Sequence, residues 1–370
     1  MLKRDCFVDC SNTLAKALSS IKNLQSIIVG IDGVTCTGKT TLCHNITQIC
    51  DNANQLLVQL SGKTSRLPII QYSVLSLDDY YKESLIDQTA IQQSFLFDHL
   101  IQLPLPLTTF ARHGEQSYID EIAEFSYVED RHLMKDKQLC AINWDSPNAI
   151  NYDKIIKDLT AWREQNCKDQ TKFSKSEDSD KLDSETTISI LFVEGFALLE
   201  NKDLTKLFDF TFHLCICSQE SILSNCKDSK GGNRGSLIIN TQQLQTRRMQ
   251  RAEQRNSKLV PEAEQQQHSL DYPDSIQYWE LAVIPNINEH EQYIHRNTHY
   301  QKFSIRRLVE VTSTQINSLE IQEDEIKQDD ADQIIIDACV LINNNNENAI
   351  EQLAEHIVKE YICKLILSKR

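Results

Sequence analysis

The chain has 370 residues, of which 40% are hydrophobic, and it carries a formal net charge of −15 at pH 7 with a sequence isoelectric point near 5.1. This length suffices for one large domain or two ordinary ones. The acidic balance argues against a nucleic-acid binder, which needs a basic face to displace counterions. No stretch approaches the roughly 20 apolar residues of a membrane span. The 12 cysteines include no CxxC pair, which argues against a zinc site. Because the sequence shows no secretory signal, we expect reduced thiols in a cytoplasmic protein.

Residues 1–25 are predicted to form an N-terminal extension that packs on the rest of the chain. Leu14, Leu18, Ile21 and Leu24 recur at helical spacing, which indicates a short amphipathic helix. The extension also contains acidic residues such as Asp5. A transit peptide usually lacks acidic residues, so organelle targeting is not expected.

Short apolar runs in the remainder of the chain predict five buried strands. The runs cover residues 26–31, 69–77, 188–193, 210–216 and 334–342. Helical patterns lie between several of them and also close the chain at 349–367. Strands that alternate with helices predict an α/β fold with a mostly parallel, five-stranded sheet and helices on both faces, which makes three layers.

We therefore expect a single domain over residues 26–370, interrupted by polar insertions. These stretches are charged or rich in Gly, Ser and Gln, and they read as solvated surface loops. The predicted insertions lie near residues 82–142, 166–186, 221–242, 256–270 and 312–333.

The first apolar run leads into GVTCTGKTT at residues 33–41, which fits the pattern GxxxxGK[ST]. The pattern stands between a predicted strand and a predicted helix, where its mechanism needs it. Glycines let backbone N–H groups turn toward phosphate oxygens, and the following helix adds partial positive charge at its N-terminus. We name residues 33–41 the candidate phosphate loop. Its predicted ATP-binding residues are Gly33, Val34, Thr35, Cys36, Thr37, Gly38, Lys39, Thr40 and Thr41.

Two residues of this loop are predicted to act in phosphoryl transfer, together with an acid elsewhere in the chain. Lys39 is expected to reach the β- and γ-phosphates of ATP, and the Thr40 hydroxyl to bind Mg²⁺. Glu194 closes the apolar run at 188–193. A carboxylate at the end of a neighbouring parallel strand is placed to bind Mg²⁺ directly or through water.

The apolar run at 69–77 ends in LDDYYK, which supplies a candidate for the acceptor side of the reaction. The carboxylate of Asp78 is expected at the same sheet edge as the candidate phosphate loop. There it can orient an acceptor hydroxyl and take its proton. The neighbouring Tyr80 and Tyr81 can offer a ring surface to a flat base, and Tyr81 is a predicted substrate contact.

The segment TRRMQRAEQR concentrates four arginines in an otherwise acidic chain. Arg247 and Arg251 are four residues apart and share a helix face, and Arg248 extends the cluster. Such a basic lid can neutralise charge on a transferring phosphoryl group.

A GTPase would instead recognise guanine with the motif N-K-x-D. The nearest string in this sequence, NKDL at 201–204, has its acid one place early.

Six motifs in the same order resemble the nicotinamide riboside kinases, relatives of uridine kinase among the P-loop nucleoside kinases. GIDGVTCTGKTTL resembles the opening loop of that family, LSLDDYYK its strand-end acid motif and LFVEGFALL its Glu-Gly-Phe strand. NWDSPNAINYDKI resembles the segment that leads into the acceptor-site helix, RRMQR the lid arginines and DYPDSIQYWELAVIP the stretch after the lid.

The resemblance implies a P-loop kinase fold that uses ATP as co-substrate with Mg²⁺. The implied reaction is phosphorylation of the ribose 5′-hydroxyl of nicotinamide riboside to nicotinamide mononucleotide, a step of NAD salvage. Asp78 would be the catalytic acid/base residue, Asp145 would hold the ribose hydroxyls, and Trp144 would lie against the pyridinium ring. Asp274 would contact the nucleoside from the far side. The remaining catalytic residues would be Lys39, Arg247, Arg248 and Arg251.

Three features depart from that family. Asp32 stands where the family usually has a small or neutral residue, and we expect its carboxylate to point away from bound phosphates because it would repel them. The second stacking tyrosine of the family has only a displaced candidate, Tyr272. The insertion at 82–142 separates the acid motif from NWD.

Two alternatives to a nicotinamide riboside kinase remain. One is a uridine/cytidine kinase, because NWDSPNAI has a loose counterpart in that family. The other is a nucleotide-binding protein that has lost catalysis and acts as a partner or regulator, although such a protein would not need the acceptor acid Asp78. For the kinase we expect only small-molecule partners, ATP and a nucleoside, and a monomer or homodimer.

Overall fold

The computed structural model describes residues 7–19, 25–61, 69–81, 100–103, 139–142, 145, 147–173, 187–215, 241–259, 279, 283–299, 303–311, 316–319, 334–342 and 348–368. Contacts divide the chain into two compact units. The first unit comprises Met1–Asp79, Tyr152–Ile239 and Ile294–Arg370, and the second comprises Tyr80–Asn151 and Asn240–Tyr293. That residues 26–370 form one domain stays a prediction.

Strands and helices alternate along much of the chain. The strands are β1 (Gln25–Gly33), β2 (Ile69–Ser76), β3 (Leu100–Leu103), β4 (Leu139–Ile142), β5 (Thr187–Gly195), β6 (Phe210–Cys215), β7 (Phe303–Ile305), β8 (Leu308–Val311), β9 (Ile316–Leu319), β10 (Ile334–Ile336) and β11 (Ala338–Ile342). The helices are α1 (Val8–Leu18), α2 (Lys39–Ser61), α3 (Tyr152–Phe173), α4 (Lys202–Thr205), α5 (Thr241–Leu259), α6 (Ile284–His299), α7 (Asn348–Ile357) and α8 (Cys363–Ser368). A π-helical stretch, Val358–Ile362, joins α7 to α8.

The first unit is built on a seven-stranded sheet in the order β2-β5-β1-β6-β11-β8-β9. All neighbours are parallel except β8 and β9, which form an antiparallel pair. The prediction of a mixed α/β fold with a mostly parallel sheet is confirmed, but the prediction of five strands is wrong. The two further strands are β8 and β9. Each has only four residues and contains polar or charged side chains, as in Glu310 and Asn317, so neither gives an apolar run.

The last predicted strand, 334–342, is divided in the structure at Asp337. The Asp337 carboxylate accepts the amide N–H of Thr211 at 2.8 Å and a guanidinium N–H of Arg306 at 3.0 Å. Residues before Asp337 form β10, which pairs with β7 in a separate two-stranded sheet, whereas residues after it form β11 in the main sheet. A buried acid in the middle of an apolar run thus marks a change of sheet.

Helices cover both faces of the main sheet. Ile31 of β1 is the register partner of Glu194 in β5 and of Phe212 in β6, so these three side chains share one face. On that face Glu194 bonds to Thr40 of α2, and the Phe212 ring packs edge-on against Tyr361 with centroids 5.0 Å apart. The same face is therefore covered by α2 and the C-terminal helices.

The opposite face is covered by α3 and the turn that follows β5. A Cβ added to Gly30, which is adjacent to Ile31 and faces the other way, would lie 2.8 Å from the Phe208 ring. The Tyr152 hydroxyl at the start of α3 donates to the Ala197 carbonyl at 2.9 Å, and Arg163 further along α3 donates to the Leu207 carbonyl at 2.8 Å.

The N-terminal helix α1 packs on α2. The Ser11 hydroxyl donates to the Ile49 carbonyl at 3.3 Å, and the predicted apolar residues Leu14 and Leu18 are fully buried. Ile21 and Leu24 lie outside the described residues. Among the helices that the structure describes, none is both long enough and apolar enough to cross a membrane.

The second unit contains the antiparallel pair β3–β4 and the helix α5. Tyr81 forms an isolated antiparallel bridge with Ile150, and the Asn151 amide donates to the Tyr80 carbonyl at 2.8 Å. Most of the predicted insertion 82–142 lies outside the described residues, as do large parts of the others. The exceptions include β9, which falls within the predicted insertion at 312–333.

Candidate active site

The candidate phosphate loop connects β1 to α2. Gly33 has φ +149° and Gly38 has φ +96°, so both positions favour glycine. A Cβ on Gly33 would lie 2.5 Å from the Leu214 carbonyl oxygen, and one on Gly38 would lie 3.1 Å from Ile350 Cδ1. Between them Cys36 has φ +61°. The two motif glycines are therefore required by the backbone path itself.

Polar side chains brace the loop from within. The Thr37 hydroxyl donates to the Val34 carbonyl at 2.9 Å. The Lys39 ammonium donates to the carbonyls of Gly33 and Val34 at 2.8 and 2.9 Å. Lys39 is 9% exposed, so its charge lies within the turn of the loop. An ammonium group has three N–H donors, and two of them are used in these bonds.

The two predicted Mg²⁺ ligands lie side by side in the first unit. Thr40 Oγ1 donates to Glu194 Oε1 at 3.0 Å, and Glu194 is 4% exposed. Mg²⁺ prefers oxygen ligands at 2.0–2.1 Å in octahedral geometry, in which adjacent ligands are about 3 Å apart. The type and spacing of these two oxygens therefore fit a Mg²⁺ ion bound directly or through water.

Sequence reasoning missed Ser76, which joins this pair. Ser76 is the register partner of Glu194 across β2 and β5, and its Oγ donates to Glu194 Oε1 at 3.1 Å. The same Oγ accepts the amide N–H of Asp78 at 3.3 Å. Its signal in the sequence was a serine at the last strand position before LDD, which is visible only once the strand register is known.

The predicted acceptor acid, Asp78, lies two residues after Ser76 in the chain. Asp78 lies in the 3₁₀ turn Leu77–Tyr80 that ends β2, and its side chain is exposed. Leu77 is buried against Gly195, where an added Cβ would lie 2.5 Å from the Leu77 Cβ. The Glu194-Gly195 pair thus supplies a carboxylate and the space that the turn needs.

Asp32 is buried beside the loop, and its carboxylate bonds to residues of β6 and of the turn after β5. Its Oδ1 accepts the Leu198 amide N–H at 2.9 Å, and its Oδ2 lies 2.6 Å from His213 Nδ1. Asp32 is 1% exposed and His213 is 0% exposed. The carboxylate therefore ties the end of β1 to the turn after β5 and to β6. This direction agrees with the expectation that it points away from phosphate. His213 carried no signal beyond one polar residue in an apolar run.

Burial also affects a thiol behind the loop. Burial, and to a smaller extent the negative charge of Glu194, raise the pKa of the Cys43 thiol above its usual range, although the Lys39 charge opposes them. Cys43 is fully buried one turn after Lys39, so it remains a neutral thiol. Cys36, in the loop itself, is only half-buried.

In the second unit, two predicted site residues form a bidentate ion pair. Arg248 Nη1 and Nη2 donate to Asp145 Oδ1 and Oδ2 at 3.1 and 3.3 Å. The side chains are 10% and 15% exposed. The prediction gave Arg248 to the phosphoryl group and Asp145 to the ribose, whereas the structure brings these side chains to each other.

The structure describes three other predicted site residues of this unit. Arg247 is half-buried and Arg251 is exposed on the same helix α5, and Tyr81 is half-buried. The ligand roles of these residues stay predictions. The predicted contacts Trp144, Asp274 and Tyr272 lie outside the described residues.

The fold and the site together define a class: a mixed α/β protein with a mostly parallel sheet and a GxxxxGK[ST] loop between its β1 strand and the next helix. No family model matches the chain, and no curated protein matches it. Among solved structures the chain is similar to a possible uridine kinase from Bacillus stearothermophilus, at 14% sequence identity and a TM-score of 0.17. The match covers 57% of this chain and 82% of that chain. A TM-score this low establishes no shared function.

Proposed function

We propose that the protein is a nucleoside kinase that transfers the γ-phosphoryl group of ATP to a ribose 5′-hydroxyl. The observation that carries the proposal is the bond between Thr40 and Glu194 next to Lys39, with Asp78 two residues beyond Ser76. A loop for phosphate, two oxygens suited to a cation and an exposed carboxylate are the groups that phosphoryl transfer to an alcohol requires.

The chemistry assigned to the chain is in-line displacement. Asp78 accepts the proton of the 5′-hydroxyl while that oxygen forms a bond to the γ-phosphorus, and the bond from the γ-phosphorus to the bridging oxygen of ADP breaks. Lys39 stabilises negative charge on the phosphate oxygens. Mg²⁺, held by Thr40 and Glu194, would neutralise charge on the β- and γ-phosphates.

We propose nicotinamide riboside as the nucleoside, with nicotinamide mononucleotide as the product. Support comes from the six ordered motifs that resemble the nicotinamide riboside kinases. That resemblance gives the ribose hydroxyls to Asp145, since a carboxylate can accept from both hydroxyls at once.

A substrate panel tests the proposal. Purified protein with MgATP is offered nicotinamide riboside, nicotinic acid riboside, uridine and cytidine, and ADP and nucleotide products are measured. We expect nicotinamide mononucleotide as the main product. Preferential phosphorylation of uridine or cytidine would identify the alternative kinase. Tight ATP binding without product from any nucleoside would favour a nucleotide-binding partner protein.

Variants test the assigned roles. Lys39→Ala should lower kcat/KM by about a thousandfold, because it removes the positive charge of the phosphate loop. Asp78→Ala should lower kcat by about 100- to 10,000-fold. Asp79→Ala is the matched control, because Asp79 is the adjacent exposed acid of the same turn. Equal activity of the Asp78 and Asp79 variants would refute the role of Asp78.

A further inference from the structure

One hydroxyl connects the two halves of the proposed active site. Ser76 Oγ donates to Glu194 Oε1 at 3.1 Å and accepts the Asp78 amide N–H at 3.3 Å. Glu194 is the carboxylate suited to the cation, and Asp78 is the acid suited to the acceptor hydroxyl. A serine at the end of an edge strand therefore contacts both groups without being either.

Donors from two directions hold the Glu194 carboxylate. Thr40 on α2 and Ser76 on β2 both donate to the same atom, Oε1. Glu194 is 4% exposed, and burial of a carboxylate costs free energy unless hydrogen-bond donors such as these compensate it. If the Ser76 hydroxyl is removed, Oε1 is held from the α2 side alone.

The direction of the Ser76 bonds follows from its chemistry. A serine hydroxyl has one hydrogen, and here it is given to Glu194. Only lone pairs of Oγ then face Asp78, so Oγ accepts a hydrogen bond from the Asp78 amide N–H. The turn that carries Asp78 is thereby aligned to the position of Glu194. Leu77, packed against Gly195, closes the same junction from its apolar side.

We propose that Ser76 is a positioning residue that sets the Glu194 carboxylate and the Asp78 turn relative to each other. The proposal rests on the function proposed above, because it takes Glu194 as the cation ligand and Asp78 as the acceptor acid. Ser76 itself touches neither substrate nor phosphate in this role.

The test compares Ser76→Ala with Ser76→Thr and Ser73→Ala. Ser73 is an exposed serine of the same strand and has no role in the site, so its variant should keep full activity. Ser76→Ala should lower kcat about ten- to a hundredfold, since it removes a hydrogen bond to a charged group. KM for the nucleoside should stay within about twofold, whereas KM for MgATP should rise together with the weaker metal binding. Ser76→Thr keeps the hydroxyl and should restore kcat to within about threefold of wild type.

A second measurement does not depend on turnover. Mn²⁺ is titrated into each protein saturated with ADP, and free Mn²⁺ is followed by its electron paramagnetic resonance signal. Ser76→Ala should weaken Mn²⁺ binding by about tenfold, as loss of a group that orients a metal ligand does. Binding of a fluorescent ATP analogue in EDTA should be unchanged, because the loop is intact.

The outcomes separate the two proposals. If the wild-type protein phosphorylates no nucleoside, the proposed function is wrong. The Mn²⁺ titration then still shows whether Ser76 holds Glu194. If Ser76→Ala matches Ser73→Ala in both kcat and Mn²⁺ affinity, the positioning role is wrong. The role is also overturned if Ser76→Thr loses as much as Ser76→Ala, or if Ser76→Ala loses nucleotide binding in EDTA.

Discussion

Replacing Gly195 by alanine should move the turn that carries Asp78. The added Cβ would lie 2.5 Å from Leu77 Cβ and 2.8 Å from Leu77 Cδ2. Ordinary van der Waals contact needs about 3.4 Å or more, so the two segments must separate by roughly 1 Å. Leu77 is buried and its Cβ is fixed to the backbone, so the shift falls on the turn rather than on a rotamer.

The size of the effect follows from that displacement. Overpacking of this kind costs about 1–3 kcal/mol of unfolding free energy. A misplacement near 1 Å of a group that must meet the reacting hydroxyl can cost about a hundredfold in rate. We expect kcat to fall by about ten- to a hundredfold, while KM for ATP stays close to wild type.

Gly30→Ala provides the matched control. A Cβ there would lie 2.8 Å from the Phe208 ring, an overlap of similar size on the other face of the sheet. Urea unfolding measures the stability of both variants, and ADP release measures kcat. Gly195→Ala should lose stability and rate, whereas Gly30→Ala should lose stability alone. If the two variants keep equal kcat at matched stability, contact with Leu77 does not position Asp78.

Three further predictions concern the ion pair and the thiols. Asp145→Ala and Arg248→Ala should each lower the unfolding free energy by about 1–3 kcal/mol, and their double variant by less than the sum, measured by urea titration. Iodoacetamide at pH 8 should label half-buried Cys36 faster than buried Cys10, as mass spectrometry can resolve. Burial raises the pKa of Cys10 from 9.0 to about 12. The thiol of the unfolded chain therefore ionises at lower pH than the folded one, so the free energy of unfolding falls as pH rises above 9. From neutral pH to pH 10 this loss should be about 1 kcal/mol smaller in Cys10→Ala than in wild type.

The strands that could be predicted from the sequence are those whose residues are buried along most of their length. β1, β5 and β6 lie within the sheet and read as apolar runs, and the loop at 33–41 carries its glycines at the positions where the backbone has positive φ. β8 and β9 were missed because they are short strands at the far edge. Asp337 divides a run that looks uniform because its partners, Thr211 and Arg306, are distant in sequence.

In the candidate site, too, residues whose role depends on strand pairing were not predicted. Thr40, Glu194 and Asp78 were each predicted as site residues from their place at the end of a predicted strand or loop. Ser76 and His213 were not, because their meaning depends on which residue stands opposite in the neighbouring strand. The hydrophobic pattern shows which face of a strand is buried, but the residue that stands opposite depends on which strands pair in the folded sheet. Asp32 was noticed as unusual, and only its contact with His213 and Leu198 explains why a carboxylate can stand there.

The strand order has a consequence for how the protein is made. β11 lies between β6 and β8 in the sheet, although it follows β8 and β9 in the chain. During synthesis the hairpin of β8 and β9 therefore emerges before the strand to which it must attach. It can join the sheet only after residues 338–342 have left the ribosome and paired with β6. A nascent chain released before that point would keep β1, β2, β5 and β6 but would leave the hairpin with exposed edges, a state that favours aggregation.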